Sequence, residues 1–255
     1  MTAPLNIINI TKENLSEEGI CCAFSDKKHV EGVRLKEEWL AARFDEGFRY
    51  KKLNVRGKVF IEYVPAEYAW SPIDAPNYLF IHCFWVSGRY KGQGWGKKLL
   101  DDCLKDAEGK DGIVVVTGKK DMGFMTDPKF FRKYGFEICD TAPPYFQLMV
   151  KRLNPSAPLP RFRESAKRAA CEPFEGFTMI YSDLCPFTTH WVEQMKEFMA
   201  KYQRPVRTIR LTTREQAQNM PSAFAIFSLF FDGKFLTHEM MHESKFDKLY
   251  AAANL

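Results

Sequence analysis

The residues with the clearest chemical meaning lie between Val86 and Leu100, VSGRYKGQGWGKKLL. An almost wholly apolar run, YLFIHCFWV over 78–86, leads into it. Leu99, Leu100, Cys103, Leu104 and Ala107 behind it mark one stripe of a helix. A strand that ends in a glycine-rich turn and opens directly into a helix presents unobstructed backbone amides at the positive end of the helix dipole. That arrangement cradles a pyrophosphate. Gly92, Gly94 and Gly96 supply the open backbone, and Lys91, Lys97 and Lys98 add charge on the same rim. The spacing is neither G-x-x-x-x-G-K-[ST] nor G-x-G-x-x-G, so a nucleotide P-loop and a dinucleotide fingerprint are both set aside.

Other side chains could move protons nearby. His82 is the one imidazole in its apolar strand, and strand parity predicts that it shares a face with Val86 and that Cys83 points away. It is a candidate base, or else a core histidine bonded to a backbone carbonyl. Glu62 and Glu67 sit in FIEYVPAEYAW (60–70), two carboxylates among aromatic rings. With Trp70, such residues suit a cationic amine, although solvated acids on a strand and loop would read the same way. Cys185, in YSDLCPFT (181–188), stands where a long helix is predicted to begin, which favours a thiolate.

These residues need elements to hold them. Strands are predicted over 6–10, 59–64, 78–86, 113–116 and 146–151, and helices over 15–44, after residue 94 and over 129–133. The alternation indicates an α/β sandwich. The stretch KRLNPSAPLPRFRESAKRAA (151–170) has three prolines, six basic residues and little periodic apolar content. It reads as a linker or a surface strap. Beyond it, strands over 177–182, 206–211, 223–231 and 234–239 surround a helix carrying Trp191, Val192, Met195, Phe198, Met199 and Tyr202. Asp232-Gly233 forms the hairpin turn.

Around the glycine turn the chain resembles the GCN5-related N-acetyltransferases (GNAT). Their signature [Q/R]-x-x-G-x-[G/A] stands here as Lys91-Gly92-Gln93-Gly94-Trp95-Gly96, with Lys in the first place. The segment FFRKYGF (130–136) is similar to their late F-Y-x-x-x-G-F, with Phe131 where many members carry a catalytic tyrosine. The resemblance implies a mixed sheet with flanking helices over residues 1–152. It implies acetyl-CoA held by residues 91–97, with the edge of Phe84, Trp85 and Val86 along the pantetheine arm. A primary amine then attacks the thioester directly, with His82 or Glu62 as base; the acid is Tyr134 if the helix is rotated, or else water or none, with Tyr134 an aromatic packing residue. Glu67 and Trp70 would border the acceptor, a small molecule or a peptide amine.

Residues 153–172 then link to a smaller α/β domain over 173–255, which resembles thioredoxin and glutaredoxin domains. Thr188 replaces the second cysteine of the redox motif, and Pro221 stands where those domains have a cis-proline. The pairing of both halves resembles the YoaP-type acetyltransferases of bacteria. Two other readings stay open: a coenzyme A-binding regulator without catalysis, and a redox protein acting through Cys185.

Composition narrows the classes. The chain has 255 residues, 45% of them hydrophobic, including 22 phenylalanines, which is ample for a core. No apolar run is long enough for a membrane span, and the first 25 residues lack the apolar stretch of a signal peptide. Seven cysteines at scattered spacing support neither a disulfide framework nor a metal site. Reduced thiols in a cytoplasm fit best. A net charge of +5 suits a polyanionic small ligand at least as well as nucleic acid, and no nucleic-acid motif appears.

Overall fold

The computed structural model describes residues 5–23 and 26–253. The first half forms β1 (Ile7–Ile10), α1 (Leu15–Glu18), α2 (Val30–Ala41), β2 (Arg49–Leu53), β3 (Val59–Pro65), β4 (Ile73–Asp74) and β5 (Tyr78–Val86). It continues with α3 (Trp95–Asp106), β6 (Gly112–Gly118), α4 (Pro128–Lys133), β7 (Glu137–Ala142) and β8 (Phe146–Arg152). After it come β9 (Arg161–Phe162), α5 (Glu164–Lys167), β10 (Phe177–Tyr181), α6 (Thr188–Met199), β11 (Val206–Arg210), α7 (Arg214–Gln218), β12 (Phe227–Phe231), β13 (Lys234–Thr237) and α8 (Glu243–Ala252). The helix expected over 15–44 is broken into α1 and α2, and its residues 24 and 25 lie outside the described ones.

Seven strands make one mixed sheet in the order β1-β2-β3-β5-β6-β8-β7. Alternating side chains send Leu53, Ile61, Ile81, Val115 and Met149 to one face, where α3 and Phe131 of α4 cover them. Tyr50, Phe60, Phe80, Val114 and Leu148 go to the other face, under Trp39 and Leu40 of α2. The parallel pairing of β5 with β6 runs only from Tyr78↔Gly112 to Ile81↔Val115. Beyond it the two strands part. At the same place β5 bulges, since Glu62 pairs with Cys83 while Tyr63 pairs with Ile81. His82 is the extra residue, and a bulge re-aims the side chains around it.

Residues 161–162 and 164–167 of the proline-rich stretch are ordered against the first half, with β9 pairing β4. The second sheet has the order β11-β10-β12-β13. β10 runs parallel to β11 and antiparallel to β12, and β12 antiparallel to β13. Asp232 (φ 46°) and Gly233 (φ 77°) make the hairpin turn that their types predict. Phe177, Met179, Val192, Met195 and Phe246 fill the outer layer. Ile180, Leu211, Phe224 and Phe230 on the inner side share one core with Tyr50, Phe60 and Trp70 of the first half. Polar bonds also cross the junction: His238 stands between the Tyr145 hydroxyl (2.7 Å) and the Gly123 carbonyl (2.9 Å). The Gln218 amide donates to the carbonyls of Glu67 and Ala69, both at 3.0 Å.

The closest approach is at Gly32 in α2, where a Cβ atom would lie 1.9 Å from the Pro186 carbonyl oxygen. Only glycine fits there. Gly32→Val should therefore force the segment before α6 away from α2 and lower the melting temperature by roughly 5 °C or more. Thermal unfolding followed by circular dichroism checks this, and an unchanged midpoint would mean the two sheets do not dock this tightly.

Candidate active site

The glycine turn forms as expected. Gly92 (φ 76°) and Gly94 (φ 82°) take left-handed backbone, which L side chains rarely adopt, and Gly94 is the N-cap of α3. A Cβ added to either meets nothing within 4 Å, so both border open space. Gly96 has another reason: its Cβ would come within 3.0 Å of Phe130 and 3.2 Å of Phe84. A cavity of about 540 Å³ opens here, lined by Phe84, Trp85, Val86, Lys91, Gly92, Gly94, Trp95, Gly96, Lys97 and Tyr134. It lies at the parting of β5 and β6. Amides at the start of a twelve-residue helix, three lysines (Lys91, Lys97, Lys133) and an open glycine backbone fit a pyrophosphate group. Of the expected members, Gln93 and Lys98 line no wall: the Gln93 amide turns back onto the Arg89 carbonyl at 2.6 Å, and the Lys98 ammonium lies over the Trp95 ring at 4.2 Å.

The expected catalytic residues do not share one cavity: Glu62 and Tyr134 line different ones and His82 lines neither. His82 does not share a face with Val86. It packs edge-on against Phe80 (4.7 Å) and stacked on Phe48 (5.5 Å), while its Nε2 accepts the Trp70 backbone N–H at 3.2 Å. Burial, with Lys36 nearby, holds it well below the usual imidazole range. Its lone pair is thus already engaged, and His82 lines neither this cavity nor the second one described below. Cys83, expected to point away from His82, packs into the same core layer. The extra residue in the bulge cancels the alternation on which both expectations rested.

Glu67 and Trp70 are also displaced from the role expected of them. The Glu67 carboxylate accepts the Asn77 N–H at 2.7 Å, and the Trp70 ring is buried under the Arg43 guanidinium at 4.7 Å. Both line neither cavity, and α7 covers that stretch instead. Tyr134 does line the first cavity, its ring 4.9 Å from Phe130, while Phe131 is fully buried in the core.

Glu62 is placed otherwise. Its Oε2 accepts from the Lys36 ammonium at 2.6 Å, and both side chains are buried. Burial raises the Glu62 carboxyl above its ordinary value, and Lys36 opposes the rise. Lys36 comes from α2, 26 residues away in the chain, so no local spacing announces the pair. Glu62 lines a second cavity of about 300 Å³, as do Cys22, Cys83 and Cys185. Trp85, 40% exposed, is a wall of both cavities. Among the described residues no group of His, Cys, Asp and Glu is placed to hold a metal ion.

Cys185 differs from the expectation. Helix α6 starts at Thr188 with Phe187 as N-cap, so Cys185 lies just before the helix end. Burial pushes its thiol up to about 11, against a lowering contribution from the Phe187 backbone N–H. The neutral thiol therefore dominates near pH 7. Alkylation of Cys185 by iodoacetamide at pH 7.5, followed by peptide mass spectrometry, should run slower than that of free cysteine; faster labelling would restore the thiolate. The Met220–Pro221 bond is also trans, the cis bond among the described residues joining Pro143 and Pro144. β12 begins at Phe227, later than the expected 223.

A glycine cradle at the N-terminus of a helix, reached from a bulged strand that parts from its parallel neighbour, is the arrangement on which the chain can be compared with known proteins. Residues 11–136 match the model of the Acetyltransferase (GNAT) family, and residues 205–248 match the YoaP-like model. The chain belongs to the GNAT acetyltransferase family, and the activity that goes with membership is N-acetyl transfer from acetyl-CoA. The Bacillus subtilis (strain 168) protein called Uncharacterized N-acetyltransferase YoaP is 44% identical over 244 residues, covering 95% of this chain and 97% of its own. Solved structures that resemble it include PH1933 from Pyrococcus horikoshii OT3 (21% identity, 59% of this chain and 99% of that one, TM-score 0.41). Another is the PaiA N-acetyltransferase of Thermoplasma acidophilum in complex with coenzyme A (18% identity, 58% and 99%, TM-score 0.38).

Proposed function

We propose that the chain transfers the acetyl group of acetyl-CoA to a primary amine by direct attack, with Glu62 taking the proton of the amine. The observation that carries this is Trp85, the common wall of a cavity built for a pyrophosphate and a second one that holds a buried carboxylate. Acetyl-CoA supplies an activated thioester, so the C–N bond forms as the C–S bond breaks. The amides of residues 92–96 and Lys91, Lys97 and Lys133 bind the coenzyme phosphates. The edge of β5 beyond Ile81, which has no β6 partner, is free to pair with an amide-bearing arm. Thr126 already ties down one point of it through the Phe84 carbonyl, at 3.2 Å. Glu62, held by Lys36, receives the amine proton, and Tyr134 on the coenzyme wall is the donor for the departing sulfur.

We further read residues 173–255 as a thioredoxin-like module joined to the acetyltransferase module (1–152) through 153–172. The sheet order β11-β10-β12-β13 and the single parallel pair support it. The neutral Cys185 gives that module a structural part rather than a redox one. The described cysteines are all free thiols, and none of the described helices is long and apolar enough to cross a membrane, which supports a cytoplasmic setting.

Direct attack predicts a ternary complex. Initial rates measured against both substrates should give intersecting double-reciprocal lines, and parallel lines would point to an acetylated enzyme instead.

A further inference from the structure

The second cavity is built from both modules. Lys58 just before β3, Glu62 on β3 and Trp85 on β5 form one side, and Cys185, Phe187 and Trp191 of the second module form the other. Its volume of about 300 Å³ lies at the small end of ligand sites, enough for a single compact metabolite and not for a folded chain. Most of the wall is aromatic or aliphatic, and its charges are separated. At the back, Glu62 is already matched by Lys36. At the opening, the Lys58 ammonium lies 4.8 Å from the Phe187 ring and 5.9 Å from the Trp85 ring, with no carboxylate of the described residues pairing it. His29, also on the wall, keeps a buried Nδ1 with no hydrogen-bond partner. A half-buried cation set over aromatic rings calls for an anionic partner, because leaving it unpaired in such surroundings is costly.

We infer that the acceptor is a free α-amino acid with a large apolar side chain, and that the second module completes the pocket that selects it. The α-carboxylate pairs with Lys58 and reaches the spare nitrogen of His29. The side chain packs against Phe187 and Trp191. The α-amine faces Glu62 beside Trp85, where the coenzyme cavity begins. In the transfer the amine nitrogen bonds to the acetyl carbon, the carbon–sulfur bond breaks, and coenzyme A leaves as the thiol carrying one proton in exchange for the one the amine loses. This rests on the acetyl-transfer reading above and adds the substrate class to it.

The test compares phenylalanine, phenethylamine, alanine and spermidine as acceptors for the full-length chain, its Lys58→Met variant and its Trp191→Ala variant, with acetyl-CoA affinity titrated in parallel. Phenylalanine should be the best acceptor of the four. Lys58→Met should raise its KM by roughly tenfold or more and leave phenethylamine, which lacks the carboxylate, within about twofold. Trp191→Ala should lower kcat/KM for phenylalanine more than for alanine, and acetyl-CoA affinity should not change in either variant. Preference for spermidine, or an equal effect of Lys58→Met on phenylalanine and phenethylamine, would overturn the inference and leave acetyl transfer standing. No turnover of any amine together with no binding of acetyl-CoA would overturn both.

Discussion

Gly94→Glu is expected to weaken acetyl-CoA binding by roughly a hundredfold or more, about 3 kcal/mol. Two costs act together. Gly94 holds φ 82°, so any L residue there is strained by about 1–2 kcal/mol. Its Cβ would project into open space on the wall of the cavity, so the fold accepts the volume while the ligand does not. A carboxylate at that point also repels a pyrophosphate and competes for the amides at the start of α3. Calorimetric titration of folded wild-type and variant protein checks the result. Undiminished affinity in the variant would remove the glycine turn as the binding site.

The second large effect concerns the buried Lys36–Glu62 pair. Glu62→Gln leaves the Lys36 ammonium buried without a counter-charge, which should cost about 3 kcal/mol of stability or more. It should also reduce kcat by roughly a hundredfold, the usual contribution of a positioned base. The double variant Lys36→Met/Glu62→Gln removes both charges. It should recover most of the stability and none of the activity, which separates the folding effect from the chemical one. Full activity in the double variant would exclude Glu62 as the base. The pH profile gives an independent check. Because burial raises the Glu62 carboxyl, its ionised form appears only above the ordinary carboxylate range near pH ~4.3. The acid limb of kcat/KM should accordingly lie higher than that and disappear in the double variant.

Much of the glycine-turn cavity was legible in the sequence because it is local. A strand, a run of glycines and an amphipathic stripe follow one another without interruption, and each has a physical signature of its own. The strand over 78–86 and the helix after Gly94 formed as expected. The second cavity was not legible, because it is made by contacts between distant segments. The bulge at His82 has no sequence signature, yet it reverses the parity from which the orientations of His82 and Cys83 were read. The partner of Glu62 comes from α2. Glu67 and Trp70 looked like acceptor residues on composition, and their region is occupied by α7, a five-residue helix that the sequence reading missed. β2, with the sequence RYKKL, and β7, with EICDTA, were missed because their polar content masks the alternation. For Cys185 two effects of opposite sign competed: the N-cap N–H of Phe187 favours the thiolate, and burial prevails.

Acetyl transfer itself is the property to measure most directly. Purified full-length protein should be mixed with acetyl-CoA and a panel of primary amines, with release of the coenzyme thiol and the mass of the acceptor followed together. Thiol release that depends on an amine and matches the formation of its acetylated product is the predicted result. Thiol release without an acetylated amine, or no reaction in folded protein that binds the coenzyme, would contradict it.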